Sequence, residues 1–172
     1  MNKTGFRVGV LPMGEIDRII PRAVAAQITG AFGIEAEVLP VAPCPAYAFD
    51  SRRVQYNAGL IIKKLEKKQF SGFTKVVALF DDDLFIPVFS FVLGEARMGG
   101  RCALVSIYRL KQDPLRAVKV AMHEFGHLMS LGHCMEKGCV MNFSKDIEHL
   151  DKISPGMCRF CVENIQYQFE RY

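Results

Sequence analysis

Three of the four histidines in this 172-residue chain fall within eleven consecutive residues, as His123-Glu124-Phe125-Gly126-His127 followed by His133. Residues four apart lie on one face of an α-helix, one turn from each other, so the first two imidazoles can reach a common point. The flanking sequence supports a helix. Asp113 and Pro114 make a strong start, because Asp accepts from free N–H groups and Pro suits the first helical position. Leu115, Val118, Met122, Phe125 and Met129 recur at helical spacing, and Ala117, Val120, Ala121 and Leu128 make much of the other side apolar. A helix running to about Ser130 and buried at the centre of the domain is expected.

His133 cannot share that helix face by periodicity, so the chain must turn after His127, and Gly132 is available to take a positive φ there. Three neutral imidazoles with one open position suit zinc, and Glu124 beside them would be a general base. A chance H-E-x-x-H in a chain with this His and Glu content has a probability of roughly half a per cent, and the third His lowers it further. Histidines that merely hydrogen-bond to backbone in a buried helix would not explain the crowding.

The cysteines point the same way. Four of six form a C-x(4)-C and a C-x(2)-C pair, Cys134 with Cys139 and Cys158 with Cys161, the arrangement of two loops closing on one tetrahedral metal. A closed four-thiolate zinc site has no open position, so its role would be structural. A disulfide pair and an iron or iron–sulfur centre are the alternatives. Cys44 and Cys102, isolated in the sequence, are expected to be buried thiols.

With 50% apolar and 23% charged residues the chain has the composition of one globular domain. Its longest apolar stretch, Phe85 to Gly94, is about half a bilayer span and is broken by Pro87. The apolar run near the N-terminus is too short and too acid-flanked for a secretory signal, so a cytoplasmic protein is expected, the wrong setting for disulfides and the right one for thiolate ligands. The net charge of +4 is spread along the chain. Its one basic run, Lys63 to Gln69, reads as the wet face of a helix. Between Cys134 and Cys161, Lys137, Lys145, Lys152 and Arg159 balance Glu136, Asp146, Glu148 and Asp151, which argues against a nucleic-acid-binding zinc knuckle.

Before the histidine helix, strand and helix signals alternate. Phe6 to Leu11, Ile34 to Val41 and Lys75 to Phe80 read as strands; Pro21 to Phe32, with Gly33 as C-cap, and Ser51 to about Lys68 read as helices. Phe89 to Arg97 and Arg101 to Arg109 read as two strands reversed at Met98-Gly99-Gly100, one of them forming an open sheet edge. Asp81, Asp82 and Asp83 lack the spaced ligands of a calcium loop and read as a strand-end turn. His149 reads as a solvated loop residue.

On these residues the chain resembles the metzincin zinc peptidases, with their H-E-x-x-H-x-x-G-x-x-H signature, and specifically the archaemetzincins. In that family the third His is followed at once by Cys, then by four residues, Cys, one residue and Met, and later by C-x-x-C. Here these are His133-Cys134, Cys139-Val140-Met141 and Cys158-Arg159-Phe160-Cys161, and Phe89 to Leu110 also looks like the family's stretch upstream of the zinc helix. One departure is Ser130 in place of the signature glycine. Either Gly132 takes the turn two residues later, or Ser130 adopts the left-handed conformation at a cost of about 1 kcal/mol or more.

The resemblance implies an α+β metzincin domain with a twisted mixed sheet: residues 1–132 as a subdomain carrying the zinc helix, and residues 133–172 as a small subdomain stapled by a second zinc. It implies peptide-bond hydrolysis, with two Zn2+ per chain, a catalytic zinc on His123, His127 and His133, Glu124 as base, and a structural zinc on Cys134, Cys139, Cys158 and Cys161. Met141 would pack beneath the imidazoles without being a ligand. An extended peptide or protein substrate would add to the strand edge within Phe89 to Arg97. Some metzincins stabilise the oxyanion with a Tyr two residues after the turn Met, where this chain has Phe143; Tyr108 and Tyr167 are candidates by type only. A monomer with neither membrane nor nucleic-acid partners is expected. The competing reading is a zinc-stabilised peptide-binding protein with little or no hydrolytic activity, against which the intact Glu124 argues.

Overall fold

A computed structural model describes residues 5–142 and 146–170. β1 (Arg7–Met13) leads through α1 (Ile19–Phe32) to β2 (Glu35–Val38), which lies parallel to β1. Gly33 ends α1 as expected, at φ 65°, its N–H donating to the Thr29 carbonyl at 2.8 Å. Next come β3 (Phe49–Asp50), β4 (Gln55–Asn57) and α2 (Ala58–Lys67), capped by Asn57, whose side chain accepts from the Leu60 N–H. The helix expected from Ser51 therefore starts seven residues later. The Asp50 carboxylate accepts from the N–H groups of Arg52 and Arg53, which gives that backbone a turn in place of a helix.

The wholly buried β5 (Lys75–Phe80) precedes β6 (Leu84–Phe85), β7 (Gly94–Ala96) and β8 (Cys102–Ser106). The order β2-β1-β5-β8-β7 makes a five-stranded sheet that is parallel except for β7, which pairs antiparallel with β8 across the expected hairpin. β3, β4 and β6 form a small second sheet. α3 (Pro114–Leu128) follows, capped by the Asp113 side chain on the Arg116 N–H, and then α4 (Ile147–Lys152) and α5 (Arg159–Phe169).

Alternation along the strands divides the core. Val8, Val10, Val77, Leu79, Ala103 and Val105 face α1, α3 and α5, while Leu11, Val76, Ala78, Phe80 and Leu104 face α2. Each Val, Leu or Phe among them, fully buried, contributes roughly 1.5–3 kcal/mol. Phe169 of α5 meets Phe6 and Phe32 at 4.7 and 5.9 Å between ring centroids, so the C-terminal helix shares this core. The lysines of the basic run stand on the exposed side of α2, as expected.

Three further expectations are corrected. Most of Phe89 to Arg97 is loop, with strand only at Gly94–Ala96. Phe89 N–H closes a turn on the Ile86 carbonyl, while Gln55 and Arg53 side chains bond the carbonyls of Ser90 and Phe89, satisfying backbone that a longer strand would have paired. Cys44 is exposed, held in a loop between Pro43 and Pro45, with its Sγ 3.2 Å from the Tyr56 hydroxyl; Cys102 is buried. His149 lies in α4 and is half-buried. Its N–H donates to Asp146, and its Nδ1 is enclosed without a hydrogen-bond partner among the described residues. Among the described residues no helix is long and apolar enough to cross a membrane.

Candidate active site and metal centres

α3 carries His123 and His127 one turn apart, with their Nε2 atoms 3.0 Å from each other. His133 comes over them, its ring centroid 5.3 Å from that of His123 and 5.2 Å from that of His127, and one ring nitrogen from each lies within 4.8 Å of the others. The opposite nitrogens of the helical pair are occupied. His123 Nδ1 lies 2.8 Å from the Val140 carbonyl and His127 Nδ1 2.8 Å from the Leu131 carbonyl, so each Nδ1–H donates and each Nε2 keeps its lone pair for a metal. Burial, reinforced by the neighbouring imidazoles, pushes His123 down to about 4, and burial lowers His127 as well. Both rings are neutral near pH 7, the form that ligates. The donor set fits zinc.

Ser130, not Gly132, makes the turn to His133. Ser130 has φ 61°, its N–H donates to the His127 carbonyl, and the Leu131 N–H reaches back to the Gly126 carbonyl at 2.9 Å. These two bonds form a Schellman motif, which ties up the last carbonyls of α3 and offsets the left-handed strain.

Glu124 is 7% exposed, and burial, aided by the charge of Glu95, pushes its carboxyl up to about 8. Met141 is fully buried against Gly126, between the two helical histidines, so closely that any Cβ at Gly126 would overlap its sulfur. The Cys134 N–H donates to the Met141 carbonyl at 2.8 Å, and Asn142 Nδ2 donates to the Cys134 carbonyl.

The four clustered thiols come together. Cys134 and Cys158 place their Sγ atoms 3.8 Å apart, and Cys139 and Cys161 place theirs 3.9 Å apart. A disulfide needs about 2.05 Å, whereas sulfurs on a tetrahedral zinc with bonds of about 2.3 Å stand roughly 3.8 Å from each other. Backbone N–H groups of Glu136 and Cys158 donate to two of the sulfurs. Zinc fits here too.

The family model of peptidase family M54 matches residues 42–167. The archaemetzincin of Methanocaldococcus jannaschii is 32% identical over 172 residues, covering 94% of this chain and 93% of its own length. The crystal structure of archaemetzincin from Methanopyrus kandleri superposes with a TM-score of 0.86 at 30% identity, covering 96% of both chains. That from Archaeoglobus fulgidus, complexed with malonate, gives 0.80 at 27% identity, covering 92% of this chain and 99% of its own. This chain belongs to peptidase family M54. It is a zinc metallopeptidase with the archaemetzincin fold.

In this M54 peptidase the histidines open on a cleft of about 880 Å³. One wall is β7, whose outer edge carries no partner strand among the described residues. Gly94 of β7 faces Glu124. The roof is the loop from Ile86 to Leu93, braced by Arg109, which stacks 3.9 Å over the Phe91 ring and holds buried Asp83 through two 2.8 Å bonds. Asp83 is thus a structural anchor at the strand end. Tyr108 borders the cleft; Tyr167, exposed on α5, is not among the lining residues, and Phe143 lies outside the described residues. The sequence reading missed two cleft residues: Glu95 on the edge strand and Lys119 on α3. Lys119 had a signal, as the lone charge in the apolar stretch Ala117 to Met122.

Proposed function

We propose that His123, His127 and His133 hold a catalytic zinc, that Cys134, Cys139, Cys158 and Cys161 hold a structural one, and that Glu124 is the general base of peptide-bond hydrolysis. The observation carrying this reading is the convergence of three imidazoles beside a buried Glu124 side chain, in a cleft bordered by a strand edge that is unpaired among the described residues. Zinc, when bound there, supplies Lewis acidity that polarises a scissile carbonyl and acidifies water. Glu124 takes the proton of the attacking water and returns it to the leaving amine. Burial raises the Glu124 carboxyl in the metal-free chain and favours its protonated form, and the charge of a zinc bound beside it would favour the carboxylate that accepts the proton. The substrate lies extended along β7, pairing its main chain with the free N–H and C=O groups of that edge. Met141 buttresses α3 at Gly126 and touches no substrate.

Residues 1–132 then carry the helical ligands and the base, and residues 133–172 carry the third His and the structural metal. The chain acts as a cytoplasmic monomer on peptides or proteins, a setting in which thiols at metal-ligand spacing stay reduced.

The test is zinc stoichiometry together with hydrolysis of a mixed peptide library by the native protein and by Glu124→Ala. Two zincs per chain and cleavage that vanishes in the variant are expected. Two zincs without cleavage by either protein would favour the peptide-binding reading, and one or none would count against the ligand assignments.

A further inference from the structure

Lys119 precedes His123 by four residues, so it stands on the same face of α3, about 6 Å along the axis. It is 3% exposed, yet it lines the cleft. Around it the lining is apolar: Val120 from α3, Leu93 from the roof loop, Ile147 and Leu150 from α4, and Ile153. The ammonium donates to the carbonyls of Leu150 at 2.9 Å and Asp151 at 3.1 Å, in the last turn of α4. Those bonds use two of its three N–H groups, and among the described residues no carboxylate bonds to it. Glu95, Glu124 and Asp146 also line the cleft, and none of them bonds to Lys119; Asp151 and Asp146 are committed elsewhere. Asp151 is held by Arg116 through bonds of 2.8 and 2.7 Å, and Asp146 caps α4 at the His149 N–H. The other cleft cations differ: Arg109 is paired with Asp83, and Lys111 stands exposed at the rim.

A buried ammonium in an apolar recess is poorly compensated by two carbonyls, and an incoming anion would complete it. The apolar walls suit the methylenes of a side chain long enough to reach the floor, and the floor suits a terminal carboxylate. We propose that this recess binds the side chain of a residue flanking the scissile bond, and that Lys119 selects one ending in a carboxylate, glutamate above all. The proposal rests on the peptidase reading only for the position of the scissile bond.

The test uses a peptide library with glutamate, glutamine, norleucine or lysine at equal frequency in its variable positions. It is passed over immobilised, zinc-loaded Glu124→Ala protein, and separately digested by the native enzyme with cleavage sites read by mass spectrometry. Retained peptides are expected to be enriched at least tenfold in glutamate over norleucine, with the same bias beside the cleaved bonds. Adding Lys119→Met should reverse the order, while Lys119→Arg should keep it. Equal retention of glutamate and norleucine peptides, retention of neither included, overturns the proposal, and so does a bias that survives Lys119→Met. This comparison needs only the Glu124→Ala chain, so it stands even if Lys119→Met does not fold. Selective retention without hydrolysis by the native enzyme would sink the peptidase reading and leave the recess assignment intact.

Discussion

Gly94 stands so close to Glu124 that a Cβ added to it would lie 2.6 Å from the carboxylate Oε1 and 2.7 Å from Cγ. The edge strand thus fixes the Glu124 carboxylate by the absence of a side chain. Gly94→Ala should push the Glu124 carboxylate out of line. A displacement of about 1 Å at a reacting group can cost on the order of a hundredfold in rate. We expect kcat/KM to fall by about that factor, with zinc content unchanged. Unaltered kinetics would mean that the carboxylate swings freely and that Gly94 does not position it.

Ser130 occupies the left-handed turn at φ 61° that a glycine would take without strain. Ser130→Gly removes a penalty of about 1 kcal/mol or more but loosens the unfolded chain, which returns part of the gain. A net stabilisation of roughly 0.5 kcal/mol is expected, seen as a rise of one or two degrees in Tm. Ser130→Val, β-branched at the same φ, should lower Tm instead. The pair of thermal melts checks both signs.

Much of this site was legible because its signals are local. Asp113 and Pro114 start α3, the four-residue spacing aligns His123 with His127, and Gly99-Gly100 turns the hairpin. The roof loop was not legible: its apolar run imitates a strand, and what holds it as a loop is Arg53 and Gln55, more than thirty residues away in sequence. The sequence does not single out Ser130 over Gly132 for a related reason. Periodicity says that the helix must end, but only the bonds to Gly126 and His127 decide which residue goes left-handed. Lys119 was hidden by its own setting, since a charge in an apolar helix announces neither its partners nor the cavity it faces.

Asp83 gives the protein a defined acid sensitivity. Burial opposes its ionisation, but the hydrogen bonds from Arg109 and Gln55 more than offset this and hold the carboxyl below its ordinary value. A depressed folded pKa means that the stabilisation is complete above the unfolded value of about 3.9 and is lost as pH falls through the folded one. Asp83→Asn should cost roughly 1–2 kcal/mol at pH 6, a modest figure because Arg109 is partly exposed. The gap between the two proteins in urea midpoint should close only below about pH 3.9. Because Arg109 also stacks on Phe91 of the cleft roof, KM should rise in the variant.

The histidine and cysteine clusters are joined by short covalent and hydrogen-bonded links. Cys134 follows His133 directly, its N–H holds the Met141 carbonyl, and the Val140 carbonyl orients His123. A change in the thiol cluster therefore reaches all of these groups through at most a few bonds. Cys158→Ser removes one of four thiolates without touching a histidine or a residue of the cleft. We expect it to lose the structural zinc and to free the segment from Cys134 to Met141. The carbonyl that orients His123 would lose its fixed position, and loss of such an outer partner typically costs 10–100-fold in metal affinity. Dialysis against a graded series of chelators, with zinc counted per chain, measures this directly. The native chain should keep one zinc at chelator strengths that strip the variant completely. A variant that retains its remaining zinc as tightly as the native protein would show that the two sites fold independently and that the contacts through Met141 and Val140 carry no coupling.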